Sequence, residues 1–245
     1  MIRFLALFGA MMALPGVALA QQLPADLLNI PVDGSAAAWI IRTFGLLTVL
    51  SVAPGILVMV TSFPRFIIAF SLLRSGMGLA TTPSNMILAS LALFMTFYVM
   101  APTLDRSWQE GIQPLLQNQL TEAQAVERIA EPFRAFMTAN TREKDLALFT
   151  DIARERGQNF ATAEKVDYRV LVPAFMISEI RRGFEIGFLI VLPFLVIDLI
   201  VATITMAMGM MMLPPTSISL PFKILFFVLI DGWNLLVGSL VRSFS

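Results

Sequence analysis

An all-α, membrane-associated fold is predicted by two features of this sequence: its apolar composition and the segregation of its charges. Hydrophobic residues make up 57% of the 245 positions and charged residues 14%, against roughly 45–50% and 25% in soluble domains. A soluble fold of this length cannot hide so much apolar surface. Of the thirty-four charged side chains, eleven acidic and nine basic ones fall between Asp105 and Arg169, and the rest are scattered singly through apolar sequence. The pattern predicts a signal peptide, then two helical hairpins made of four apolar segments, flanking a polar helical insert.

The absent residue types narrow the chemistry. Without His or Cys, Ser-His-Asp and Cys-His nucleophile systems, disulfides and ordinary zinc or haem sites are excluded. Seventeen basic and seventeen acidic residues balance to zero, so no global field favours nucleic acid. No cofactor is implied.

Residues 1–20 read as a cleavable signal peptide: Arg3, then the short apolar run Phe4 to Leu14, the breakers Pro15 and Gly16, and Ala18-Leu19-Ala20 as a small-x-small cleavage site. Residues 21–43 follow as an exported lead-in punctuated by Pro24, Pro31 and Gly34. The first hairpin, 44–104, holds Phe44–Val60, broken by Pro54-Gly55, and Met86–Pro102. Each segment has 17 residues, or roughly 26 Å of helix, slightly under a hydrocarbon core of roughly 30 Å. The second hairpin, 171–245, holds Ile186–Leu213 with Asp198 inside, and Phe222–Val241 with Lys223 and Asp231. Four transmembrane helices and hairpins packed inside a larger membrane-linked assembly both fit these spans. Export of residue 21 places Arg65 and Arg74 on the cytoplasmic side and the insert outside.

The insert, 105–170, is expected to be helical. Thr121 and Gln124 form a capping box ahead of Val126 and Ile129. Thr141 is a candidate cap for a second helix, with Leu146, Phe149, Ile152 and Ala153 on one face, and Asp151 is placed to pair with Arg154 at i,i+3.

Two groups of residues are candidates for function. Five of the seven residues from 206 to 212 are methionine (Met206, Met208, Met210, Met211, Met212), and Pro214-Pro215 ends the helix behind them. Thioether side chains are flexible and conform to changing surfaces; in one chain they fill core gaps, and in a ring of copies they form a deformable collar. The second group is charged: Glu179, Glu185, Asp198, Lys223 and Asp231 lie in or beside apolar sequence. Isolated membrane charges are costly, so these are expected to pair, with Lys223, Arg181, Arg182 or a neighbouring subunit's base as partners. Paired intramembrane aspartates also suggest an aspartyl protease. Such enzymes carry Gly-x-Gly-Asp, and Leu229-Ile230 precede Asp231 here.

Several ordered motifs resemble the FliP family of flagellar type III export-gate proteins. They are Met59-Val-Thr-Ser-Phe63 followed by Arg65, Thr141-Arg-Glu-Lys-Asp-Leu-Ala-Leu-Phe149, Pro173-Ala-Phe-Met-Ile-Ser-Glu179, Gly183-Phe-Glu-Ile-Gly187, Leu192-Pro-Phe-Leu-Val-Ile-Asp198, Gly209-Met-Met-Met-Leu-Pro-Pro215, Ile218-Ser-Leu-Pro-Phe-Lys223 and Asp231-Gly-Trp-Asn234. Needle-type virulence secretion systems use a related protein that generally lacks a cleaved signal sequence, so the signal here favours the flagellar member. The resemblance implies a role without a reaction, as a core subunit of the export gate at the flagellar basal body in the bacterial inner membrane. It implies a homo-oligomer of several copies, a pentamer in the family, with FliQ and FliR as partners in a pseudo-helical ring raised out of the bilayer. Unfolded flagellar subunits pass through that ring, and its methionine loop forms a gasket at the constriction. A stand-alone channel or transporter would need a conduction path in one chain, and four short spans without an internal repeat argue against it.

Overall fold

Wherever the backbone is described, helices carry the fold, and the central one is a helix that hydropathy does not pick out. The computed structural model describes residues 40, 43–45, 47–48, 51–52, 55–56, 58–157, 166–209 and 214–244. The signal peptide and Met210, Met211 and Met212 lie outside the described residues. Residues 43–45, 47–48 and 51–52 are helical, with Phe44, Leu47 and Val52 exposed. The remainder of this section concerns the unit that begins at residue 54.

Helix α1 is Phe63–Gly76, opened by Pro64 in its first turn and closed near Arg74. Proline suits the first turn because its missing N–H has no intrahelical partner there, and a cation suits the last turn. One face, Arg65, Phe66, Ala69, Phe70 and Leu73, is buried. The sequence places Arg65 and Arg74 between the first two apolar segments, and the structure shows that this stretch is a helix, with Arg65 at 0% exposure. A charge depresses hydropathy whether or not it is paired, and Arg65 is paired.

Helix α2, Asn85–Ser107, starts at Ser84, whose hydroxyl accepts from the Ile87 N–H. It buries Leu88, Ala92, Thr96, Met100, Thr103 and Ser107, a narrow stripe at helical spacing. One wider i→i+5 turn, Trp108–Ile112, leads into α3, Gln113–Leu116. Gly111 in that turn lies against Ile129, where an added Cβ would come within 2.4 Å of a side-chain carbon.

The insert is helical. Helix α4, Glu122–Asn140, carries the Thr121–Gln124 capping box with both reciprocal bonds present. Helix α5, Glu143–Glu155, follows, with Asp151 and Arg154 paired at 3.4 Å on its exposed side. The expected cap at Thr141 is not made. Its hydroxyl donates back to the Met137 carbonyl, ending α4, and Arg142 takes the N-cap position. A Thr at a helix end can serve the preceding turn as readily as the next one.

Helix α6, Tyr168–Ala207, has 40 residues, about 60 Å at 1.5 Å per residue and about twice a hydrocarbon core. Its first half carries the insert: Val60, Met137, Leu171 and Phe175 form one core. Its second half joins a larger core with Phe66, Phe70, Leu88, Phe194, Phe227, Leu236 and Leu240. Gly183 and Gly187 let α1 approach closely, since added Cβ atoms would sit 3.1 Å from Ile68 and 2.6 Å from Leu72. Small residues four apart are a standard device for close helix contact in membranes.

Helices α7, Pro215–Leu229, and α8, Gly232–Arg242, are bent by 63° at their junction. The apolar segment Phe222–Val241 is thus broken rather than a straight span. Asp231 adopts the left-handed conformation (φ 51°, ψ 51°), and Gly232 packs against the Phe227 ring with no room for a Cβ. Among the described residues two runs, Asn85–Leu116 and Tyr168–Ala207, are long and apolar enough to cross a membrane, and the bent pair makes a third if it counts as one span.

Candidate functional site

Two ion pairs hold the apolar arms together, one at each end of the α1–α6 contact. At the first, Arg65 of α1 meets Glu179 of α6, both at 0% side-chain exposure. Arg65 Nε donates to Glu179 Oε2 at 2.9 Å and Nη2 donates to Oε1, a bidentate fork. Nη1 donates to the Ser243 carbonyl and hydroxyl at 3.0 and 2.7 Å, so four of the guanidinium's five donors have acceptors. Burial draws the Arg65 guanidinium below its ordinary value, and the hydrogen bond and charge of Glu179 oppose that.

At the second, Asp198 of α6 accepts from Lys223 Nζ at 2.6 Å and from the Ser219 hydroxyl at 2.6 Å, both on α7. Lys223 also donates to the Gly76 carbonyl at the end of α1, at 3.1 Å. One ammonium thereby ties three helices, and it does so in the apolar half of α6, where an unpaired charge is expensive. The Asp198 side chain keeps 32% exposure and Lys223 4%.

The other charges grouped with these from sequence stand elsewhere. Glu185 is half-exposed and bonds Arg181 at 3.0 Å and Arg142 at 3.2 Å. Asp231 is exposed and makes the α7–α8 turn, its carboxylate accepting from Asn234 Nδ2 at 3.1 Å. Sequence reasoning missed Arg65, Ser219, Ser178 and Asp145. Ser178 donates to the buried Asp145 at 2.6 Å and accepts from the Arg142 N–H, pinning α5 to α6. Ser219 and Lys223 are four apart on one helix face, a spacing that marks a shared partner. Arg65 had the signal of a lone cation beside an apolar run.

At the far end of α6 the helix stops at Ala207, and Gly209 takes a positive φ of 71°. Met206 and Met208 are 64% and 67% exposed there. An apolar groove of about 520 Å³ between α6 and α7 leads up to Met208, lined by Ile197, Ile200, Val201, Ile204 and Phe222. Large apolar side chains left open over this length mark a surface for lipid or for other protein chains.

Apolar helices tied to one another by the pairs Arg65–Glu179 and Asp198–Lys223, beside a polar helical insert, define a helical protein with runs long and apolar enough to cross a membrane. The FliP family profile matches residues 46–240. The chain is 80% identical over 245 residues to the flagellar biosynthetic protein FliP of Agrobacterium fabrum, with all of both chains covered. It is 49% identical over 232 residues to the Caulobacter vibrioides protein of the same name, covering 95% of this chain and 86% of that one. The Bacillus subtilis protein of that name is 48% identical over 199 residues, with 81% and 89% covered. The chain belongs to the FliP family, a component of the flagellar export apparatus.

Proposed function

We propose that this chain is a core subunit of the flagellar type III export gate, several copies of which surround a shared axis with FliQ and FliR. In this reading the ring sits at the flagellar basal body in the inner membrane and forms the entrance for unfolded flagellar subunits. The insert stands on the periplasmic side, and residues 1–20 are removed on export. The observation that carries the reading is the exposed methionine tip: Met206 and Met208 lie open at the end of a 40-residue helix in a chain of this family.

A collar of Met206, Met208, Met210, Met211 and Met212 from each copy would close the axis. A hydrophobic constriction gates by dewetting, and thioether side chains yield to substrates of varied sequence. Glu179, Glu185, Asp198, Lys223 and Asp231 serve assembly in this reading: the pairs Arg65–Glu179 and Lys223–Asp198 set the shape of the arms that the ring needs. The uncovered apolar faces of α6 and α7 supply surface for neighbouring chains.

Co-expression of the tagged chain with FliQ and FliR, mild-detergent purification and native mass spectrometry test the reading. A closed complex with several copies of this chain is expected; a monomer indifferent to both partners would refute it. Changing Met210, Met211 and Met212 together to Ala should leave assembly intact and admit small ions. A triple variant as tight as the parent removes the collar.

A further inference from the structure

Beyond α8 the backbone makes one more turn, with the Ser243 N–H on the Ser239 carbonyl and the Phe244 N–H on that of Val241. This folds Ser243 and Phe244 back onto the first ion pair. Ser243 supplies both acceptors for Arg65 Nη1, and its hydroxyl donates onward to the Leu240 carbonyl at 2.6 Å. The Phe244 ring lies over the guanidinium, 3.5 Å from Arg65 Cζ to the ring centroid, in cation–π geometry. The same ring stacks on Phe66 of α1 and on Phe136 of α4, each with centroids 5.9 Å apart. Two residues therefore bind α1 and α4 directly, and α6 through Arg65 and Glu179.

Order of synthesis makes this arrangement consequential. Arg65, Phe136 and Glu179 all leave the ribosome before the residues that cover them. Until Ser243 and Phe244 arrive, Nη1 lacks the acceptors described here and one face of a buried guanidinium is bare, a costly state. We propose that Ser243–Phe244 is a completion strap that closes over the Arg65–Glu179 pair, so that the junction of α1, α4 and α6 stays openable until these two residues are seated. The strap concerns the closure of one chain and does not rest on the export-gate reading.

Limited trypsin digestion of the full-length chain in mild detergent tests it, following cleavage after buried Arg65 with exposed Arg156 as the internal control. In the parent chain the Arg156 bond should be cut and the Arg65 bond protected. A stop after Arg242, or Phe244→Ala, should raise cleavage after Arg65 by about tenfold or more, because local opening sets the rate, and leave the rate at Arg156 unchanged. Phe244→Trp, which keeps an aromatic face, should restore protection.

Should the truncated chain unfold throughout, Phe244→Leu decides, since it keeps apolar bulk and loses the π face. An increase confined to Arg65 in that variant, with helix content and elution unaltered, supports the strap. Protection of Arg65 equal to the parent's, in either Phe244→Leu or a folded truncation, overturns it.

Discussion

Replacing Glu179 by Gln leaves the Arg65 guanidinium buried without its counter-charge while keeping the shape of the site. Both side chains are fully buried, and Glu179 is the carboxylate that both Nε and Nη2 of Arg65 bond. Breaking such a pair from one side costs about 3–5 kcal/mol. For a chain of this length each kcal/mol moves the midpoint by roughly 2–4 °C, so Tm in detergent should fall by about 6–20 °C. The same magnitude should follow from Arg65→Met, which strands the carboxylate. The double variant Arg65→Met/Glu179→Met removes both charges, and well-packed apolar pairs of this kind are often neutral relative to the ion pair they replace. The double variant should therefore melt well above the Arg65→Met and Glu179→Met single variants, its loss falling far short of the sum of theirs. The assay is a thermal scan of purified protein read by helix content. Additive losses, or a Glu179→Gln variant that melts with the parent, would show that the pair does not hold α1 to α6.

Three further outcomes are expected. Asp198→Asn weakens two short hydrogen bonds at a partly exposed site and should cost about 1.5–3 kcal/mol by the same scan, less than Glu179→Gln; a larger loss contradicts the ranking by burial. Gly187→Leu drives a side chain into Leu72 and the α1 backbone, and the overpacking should cost about 1–3 kcal/mol or more, seen as reduced yield of folded protein. Asp231→Asn keeps the turn and its Asn234 contact and should melt with the parent, whereas Asp231→Val, β-branched at a positive φ, should lose about 1–2 kcal/mol. A large loss from Asp231→Asn would instead show that its charge matters.

The helical character of the insert was legible from short-range signals. A capping box and an i,i+3 pair act between residues one turn apart, and Thr121–Gln124 and Asp151–Arg154 form as written. The membrane-capable runs around Met86–Pro102 and Ile186–Leu213 were legible too, because burial in lipid depends on the sum of side-chain transfer energies along a helix. Helix α1 was not, since a 14-residue element carrying two arginines scores as a turn until its partner is known.

What composition and order determine by themselves is therefore the class: an all-helical, membrane-associated chain with a polar insert, and through its motifs a member of one family. Which charges meet was decided only by the tertiary structure. Arg65 and Glu179 are 114 positions apart, and Lys223 and Gly76 are 147 apart. Lys223 was one of several candidate partners for Asp198, while Arg65 was not a candidate for Glu179 at all. The two exposed acids, Glu185 and Asp231, carry the same charge as the buried ones. The physical reason is that a carboxylate in an apolar run states only that it needs a donor, and many donors satisfy that need. Close contact of α1 with Gly183 and Gly187 selects one of them by bringing Arg65 within reach.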